Sequence, residues 1–316
     1  MKRCHFTILV LALSVADLFA QPLGRVPELL AAVEIDLKVV APLPKILKEA
    51  SGLEITETGL LWTHNDDRFS ILYGLDTLGN IVRTIHLNHP NNGWEDLTRD
   101  QKGNLYVGSF GNNQNQRRDL AIYKIAKPEN ITDQVYTAGV IEYRYPDQHE
   151  FPPPEGRKNF DADAFTSIGD SLYLFTKNRT QPFTGYSKVY RLPQEPGKYE
   201  AVLYDSIYLG KGTMIDHWVT SADVSPDGKW LLLLSHDCIW IISNFENKRF
   251  SEGNIFKIDL QNFSHKTGLC FVSDTKIQIV DELELGFLGG QIYSLDLSEV
   301  FSAIQSRLGN NAKTRK

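Results

Sequence analysis

Glu95, Asp163, Asn178 and Asp223 carry the oxygen donors a hard cation needs, and each lies at an end of a segment that recurs along the chain. Calcium takes about six to eight oxygen ligands, which Asp, Glu and Asn side chains supply. The four are distant in sequence, so only a fold that returns every copy of the segment to one place would assemble them. The same copies carry a second polar set, Asn65, Asp66, Trp94, Asp96, Asn112, Lys177, Arg179, His236, Asp281 and Glu282. This set mixes both charges with amides, an imidazole and an indole, a composition suited to holding a small molecule, a glycan or a protein. Unperturbed, His236 would titrate near neutral pH. However, Ser235, His236 and Asp237 are chain neighbours, whereas a nucleophilic triad is assembled in space. No CxxC or HExxH metal motif occurs.

The recurring segment begins at Ser51 (SGLEITETGLLWTHNDD), Trp94 (WEDLTRDQKGNLYVGSFGNN), Asp161 (DADAFTSIGDSLYLFTKNR), Thr220 (TSADVSPDGKWLLLLSHD) and Lys266 (KTGLCFVSDTKIQIVDE). Each copy reads as strand, tight turn, strand, with turns such as Glu57-Thr58-Gly59 and Pro226-Asp227-Gly228. Two further strand-like runs follow most copies, giving four antiparallel strands per unit, the content of a propeller blade. The copies start roughly 45 to 65 residues apart, close to the blade period. The expected fold is all-β: a single β-propeller of four-stranded antiparallel blades, five in preference to six. It would span residues 21–303, with the strand-like run at 33–40 completing the last blade beside residues 291–297, and 304–316 forming a disordered tail.

In such a ring the innermost strand starts on the face where the antiparallel second strand ends. Both polar ends of each copy therefore face one rim. The connections at 147–159, rich in proline, and at 210–218 land there too and are expected to wall or cover the central opening.

Formal net charge is −6, and no basic footprint of a nucleic-acid surface is present. Lys2 and Arg3 precede an apolar run at 6–15 that is short for a bilayer span, with small residues following, as in a cleaved signal peptide over 1–20. The mature protein is expected to be secreted or periplasmic, monomeric, and without a membrane span. Cleavage removes Cys4 and leaves Cys238 and Cys270, whose strand positions favour two buried thiols over a bridge.

The segments SGLEITETGLLWTHND, GWEDLTRDQKGNLYVGSFGNNQNQRRDLAIYKI and ADVSPDGKWLLLL resemble exported bacterial propellers of the SdiA-regulated type. They are more loosely similar to NHL, gluconolactonase/regucalcin and esterase-like phytase propellers. The gluconolactonase likeness implies one divalent metal at the top of the channel. Glu95 resembles its strand-starting Glu, Asp223 lies near its Asp, and Asn178 or Asn112 matches its Asn. Asp96 and the Ala222-Asp223 pair depart from that pattern. The primary expectation is therefore an exported propeller that binds a ligand or protein partner through its top face. The alternative is a calcium-type metal-dependent lactonase, esterase or phosphoesterase.

Overall fold

A computed structural model describes residues 26–31, 33–246 and 249–313, with side chains through 310. The leader and Cys4 lie outside the described residues, as do residues 314–316.

Five antiparallel sheets stand around one axis. Their innermost strands are Ala50–Ile55, Trp94–Arg99, Ala162–Ile168, Ser221–Val224 and Lys266–Phe271, in blades 1 to 5 respectively. Each pairs outward with the second strand of its own copy, such as Leu61–Asn65 in blade 1 and Trp230–Leu234 in blade 4. Tight turns make these hairpins possible: Gly103 adopts φ 80°, a left-handed conformation that favours glycine.

Period-2 alternation builds the core. Strands buried on both faces must be apolar on both. In Trp230–Leu234, Leu231 and Leu233 pack toward blade 3, while Leu232 and Leu234 pack toward blade 5. Tyr106 likewise faces blade 3 and its neighbours Leu105 and Val107 face blade 1. The hydrophobic core is thus five interfaces between adjacent blades.

The ring is closed by both ends of the chain. Lys38–Pro42 is the outermost strand of blade 5, antiparallel to Gln291–Asp296, and residues 33–37 of the expected strand are irregular. Three outer edges carry an additional parallel strand: Glu28–Leu29 on blade 4, Val135–Tyr136 on blade 1 and Gly197–Glu200 on blade 2. Covering an edge removes a template for unwanted pairing. Cys238 and Cys270 are buried and free.

The C-terminus departs from the sequence reading. Instead of a propeller to 303 and a disordered tail, Ser298–Lys313 is a helix. Val300, Phe301 and Ile304 are buried against blades 4 and 5, Leu308 packs beside them, and the Phe301 ring stacks on Trp230 at 4.1 Å. Counted from the buried Leu297, Val300, Phe301 and Ile304 follow the i, i+3, i+4, i+7 stripe of an amphipathic helix. Arg307 also pairs with Glu28, fastening the helix to the N-terminal strand. No helix among the described residues is long and apolar enough to cross a membrane. Phe301→Ala is expected to lower stability by about 3–5 kcal/mol, as for other buried aromatics, read as a shifted midpoint in urea denaturation monitored by Trp fluorescence.

Candidate functional site

At the rim where the innermost strands begin, ionisable groups from all five blades surround the mouth of the central channel. Blade 3 supplies Asp163 and, from the end of its second strand, Lys177, joined as an ion pair with both side chains about nine-tenths buried. Burial opposes the Lys177 charge, but Asp163, Asp161 and Glu95 together hold its pKa above the ordinary value. Next to it the Arg179 Nε lies 2.5 Å from Asp161 Oδ2, and its guanidinium stacks 4.4 Å over the Trp218 ring. Trp218 is fixed in turn by its Nε1, which donates to the Asn178 carbonyl at 2.9 Å.

Blade 2 supplies Glu95. Its carboxyl lies against the bare Cα of Gly111, where a Cβ would stand 1.7 Å from Oε1, so Gly111 is what makes room for it. Burial, and then the charge of Asp163, push the Glu95 pKa well above the carboxylate range, with Lys177 pulling the other way. Blade 1 supplies Asp66, pushed up to about 7 by burial and by Glu282, Asp67 and Glu49.

Histidines complete the circle from blades 4 and 5. His265 Nδ1 lies 3.2 Å from Glu282 Oε2; burial disfavours its charge, but the hydrogen bond and charge of Glu282 prevail and its pKa is raised. The His236 ring stands 4.8 Å from it. Burial first, then His265 and Lys177, lower the His236 pKa to about 3, and its buried Nε2 has no hydrogen-bond partner among the described residues.

Of the sequence-predicted residues, Asp66, Glu95, Asp163, Lys177, Arg179, His236 and Glu282 thus meet at this mouth. The others hold the scaffold. Asp96 is fully buried within the ring: its Oδ1 accepts from Leu97 N and Ser221 Oγ, both 2.9 Å, and its Oδ2 from Phe165 N and Ala222 N, both 3.2 Å. Burial drives its carboxyl strongly up, against the pull of these four hydrogen bonds. Asp223 accepts from Val224 N at 2.7 Å and, across to blade 5, from Phe271 N at 2.7 Å. Asn178 turns away from the channel, donating to Thr184 Oγ1 and the Tyr186 carbonyl. Asn65 ties down the preceding turn through Ile46 O and Glu49 N. Asn112 caps its own loop at Gln116 N and Arg117 N and reaches Phe160 O. Asp281 takes hydrogen bonds from Gln291 N and Tyr293 OH. Trp94 is fully buried between blades 1 and 2, edge-on to His64.

The cation site expected from Glu95, Asp163, Asn178 and Asp223 does not assemble. Asp223 and Asn178 spend their oxygens on the scaffold, and the Lys177 ammonium already stands on Asp163. A different set has the proximity a metal needs: carboxylate oxygens of Glu49, Asp66 and Asp67 lie within 4.8 Å of one another. Lys48 and Arg68 pair with its two outer members. The sequence reading missed Glu49, Asp161 and His265. Each immediately precedes an innermost strand or sits at its N-terminal flank, so the register of the copies contained the signal.

No family model matches the chain, and no curated protein does. Solved structures with a similar arrangement include a gluconolactonase from Xanthomonas campestris, at 12% identity over 78% of this chain and 71% of that one, with a TM-score of 0.43. Virginiamycin B lyase from Staphylococcus aureus shares 16% identity over 81% of this chain and 68% of its own, TM-score 0.38. Aldose sugar dehydrogenase from Streptomyces coelicolor shares 8% over 83% and 98%, TM-score 0.46. At these identities the likeness is one of fold.

Asp96→Ala would strand three backbone N–H groups and the Ser221 hydroxyl in the ring, so it is expected to cost about 3–5 kcal/mol in urea denaturation. Asp66 gives a pH signature. In the fold its carboxyl keeps a proton up to about pH 7, whereas unfolded it releases that proton near 3.8, so the folded state binds more protons between these values. Its contribution to stability therefore falls as pH rises from 3.8 to 7. Asp66→Asn should remove that slope, leaving the variant favoured over the parent increasingly toward pH 7 when melting temperatures are compared.

Proposed function

We propose that this protein is an exported binding propeller whose ligand, small and positively charged, docks at the top mouth of the channel. The observation that carries the reading is the pair Asp66 and Glu95, carboxyls from adjacent blades both held above their ordinary pKa by burial and by neighbouring acids. A cation placed beside them would favour the ionised form of both, so its binding is coupled to the release of their protons. The internal cations offset the shifts only in part: Lys177 pulls Glu95 down and His265 pulls Asp66 down, but Lys177 and Arg179 are each engaged by an aspartate of blade 3. Burial of the surrounding charges strengthens discrimination, since each would be costly to leave facing a like-charged ligand.

A second reading is favoured by the Glu49–Asp66–Asp67 triad. There the bound cation is a divalent metal such as calcium, and the protein is a metal-assisted hydrolase of lactone, ester or phosphoester bonds.

Isothermal titration with a polyamine, a guanidine compound, a quaternary ammonium compound and calcium separates the two. Binding of an organic cation is expected, weakened about tenfold by Glu95→Gln, a loss near that of one charge-assisted contact. It should also weaken as pH falls through 7, where Asp66 takes up its proton. Gly111→Ala, which crowds the Glu95 carboxyl, should weaken it as well. Organic cations that fail to bind, or that bind equally to the parent and Glu95→Gln, would reject the proposal. Calcium binding abolished by Asp66→Asn would support the second reading.

A further inference from the structure

The proline-rich connection at 147–159 is tied to blade 3 by backbone hydrogen bonds. It lies along the top of blade 3 and joins the loop between that blade's second and third strands, through Arg179 N to Lys158 O at 2.9 Å and Gln181 N to Glu155 O at 3.0 Å. Gln148 anchors its start to the Asn115 carbonyl at 2.7 Å. Between the joined loops and the outer strands of blade 3 is a cavity of about 370 Å³, within the size range of small-molecule sites. It is off the axis, and none of the mouth groups Asp66, Glu95, Lys177 or His236 lines it.

Its charges are arranged differently from those of the mouth. Lys188 Nζ lies 2.5 Å from Asp147 Oδ2, and Arg157 lies 2.6 Å from Glu150, so both cations that line the cavity are matched by carboxylates that line it too. A ligand with net charge would gain from one member of each pair and be opposed by the other. A neutral ligand with many hydroxyls meets donors and acceptors on the same wall. The Lys188 ammonium stands 4.2 Å from the centre of the Phe160 ring, and Phe160, Pro153 and Gly156 give this wall an apolar component. Opposite it, the Thr184 hydroxyl accepts from Asn178 Nδ2 at 2.7 Å, which leaves its own proton to donate. Rings that are hydroxylated at the edge and carry C–H groups on the face match such a lining.

The geometry points to a second ligand site, in which the cavity beneath the proline-rich loop holds a neutral polyhydroxylated ring of pyranose size. Asn178 separates the two sites within one strand end. Its neighbours Lys177 and Arg179 serve the mouth, while its own amide fastens Thr184 and Tyr186 in the cavity wall.

Saturation-transfer NMR and isothermal titration with glucose, galactose, N-acetylglucosamine and myo-inositol test the assignment. At least one of these should bind saturably at millimolar concentration. Gly156→Phe should abolish that binding by filling the cavity: a Cβ at Gly156 meets nothing closer than Gln181 O at 3.7 Å, so the added side chain is admitted without backbone strain. Lys188→Met should weaken it about tenfold, the loss of one charge-assisted hydrogen bond. Glu95→Gln, which weakens binding at the mouth, should leave it unchanged, so the two sites fail or succeed separately. The assignment is overturned if no neutral ring binds saturably, if Gly156→Phe binds as the parent does with an unchanged melting temperature, or if a charged analogue such as glucuronate or glucosamine binds while the neutral rings do not.

Discussion

A closed ring of sheets leaves five unpaired edges pointing at its own axis. Each innermost strand hydrogen-bonds outward to its blade, and its inward backbone groups face neighbours that belong to separate sheets. Buried donors left without acceptors cost free energy comparable to lost hydrogen bonds. Side chains close the gaps here. Ser51 Oγ donates to Glu95 O, Asp96 accepts from blades 3 and 4, Ser221 and Asp223 accept from blade 5, and Thr267 Oγ1 donates to Ala50 O, returning to blade 1. Asp96 touches three blades at once and is the most connected of these joints. Everything at the mouth depends on this lacing, because it fixes the height and spacing of the strand starts on which the mouth residues stand.

The lacing also explains which parts of the site were legible in the sequence. Blades were readable because their determinants are local: a two-residue period, a turn residue such as Gly103 and a repeat of both. The rim was readable for the same reason, since antiparallel order alone puts Glu95, Asp163 and Lys177 on one face. What a carboxylate does there was not. Asp96 follows Glu95 directly, yet an irregularity in the pairing between Trp94 and Leu97 sends Asp96 into the ring and leaves Glu95 at the mouth. Residue type cannot separate a carboxylate that accepts backbone N–H groups from one that awaits a ligand, because both need the same oxygen atoms. The C-terminal helix was missed for a different reason. Its stripe of Val300, Phe301, Ile304 and Leu308 has helical periodicity, but the run beyond it, ending in Lys313, has the composition of a frayed end.

Lys177 marks where the expected cation site and the chemistry of this chain separate. A hard cation and an ammonium answer the same problem, the crowding of carboxylates at the top of a channel with low-dielectric walls. An ammonium does so permanently, at the cost of desolvating a charge that must then be paired. Asp163 meets that requirement at Lys177, and Asp161 does the same at Arg179. Blade 3 is thereby neutralised from within, while blades 1 and 2 keep Asp66 and Glu95 without an equivalent partner. The electrostatic asymmetry of the mouth follows from where the internal cations stand.

The same balance accounts for the contrast between the mouth and the cavity beneath the proline-rich loop. At the mouth, burial raises the carboxyl pKa values first, and neighbouring acids add to it. In the cavity, Lys188 with Asp147 and Arg157 with Glu150 are closed pairs on a wall that also carries apolar groups. Just past the strand Ser171–Thr176, Lys177 and Arg179 pair with Asp163 and Asp161 at the mouth, while Asn178 between them donates to Thr184 and Tyr186 in the cavity wall. Shifting that strand by one residue would displace Lys177 and Arg179 relative to Asp163 and Asp161, which flank Ala162 on the paired strand. The register of blade 3, set by Thr176 opposite Ala162 and Phe175 opposite Ala164, keeps the two sites distinct.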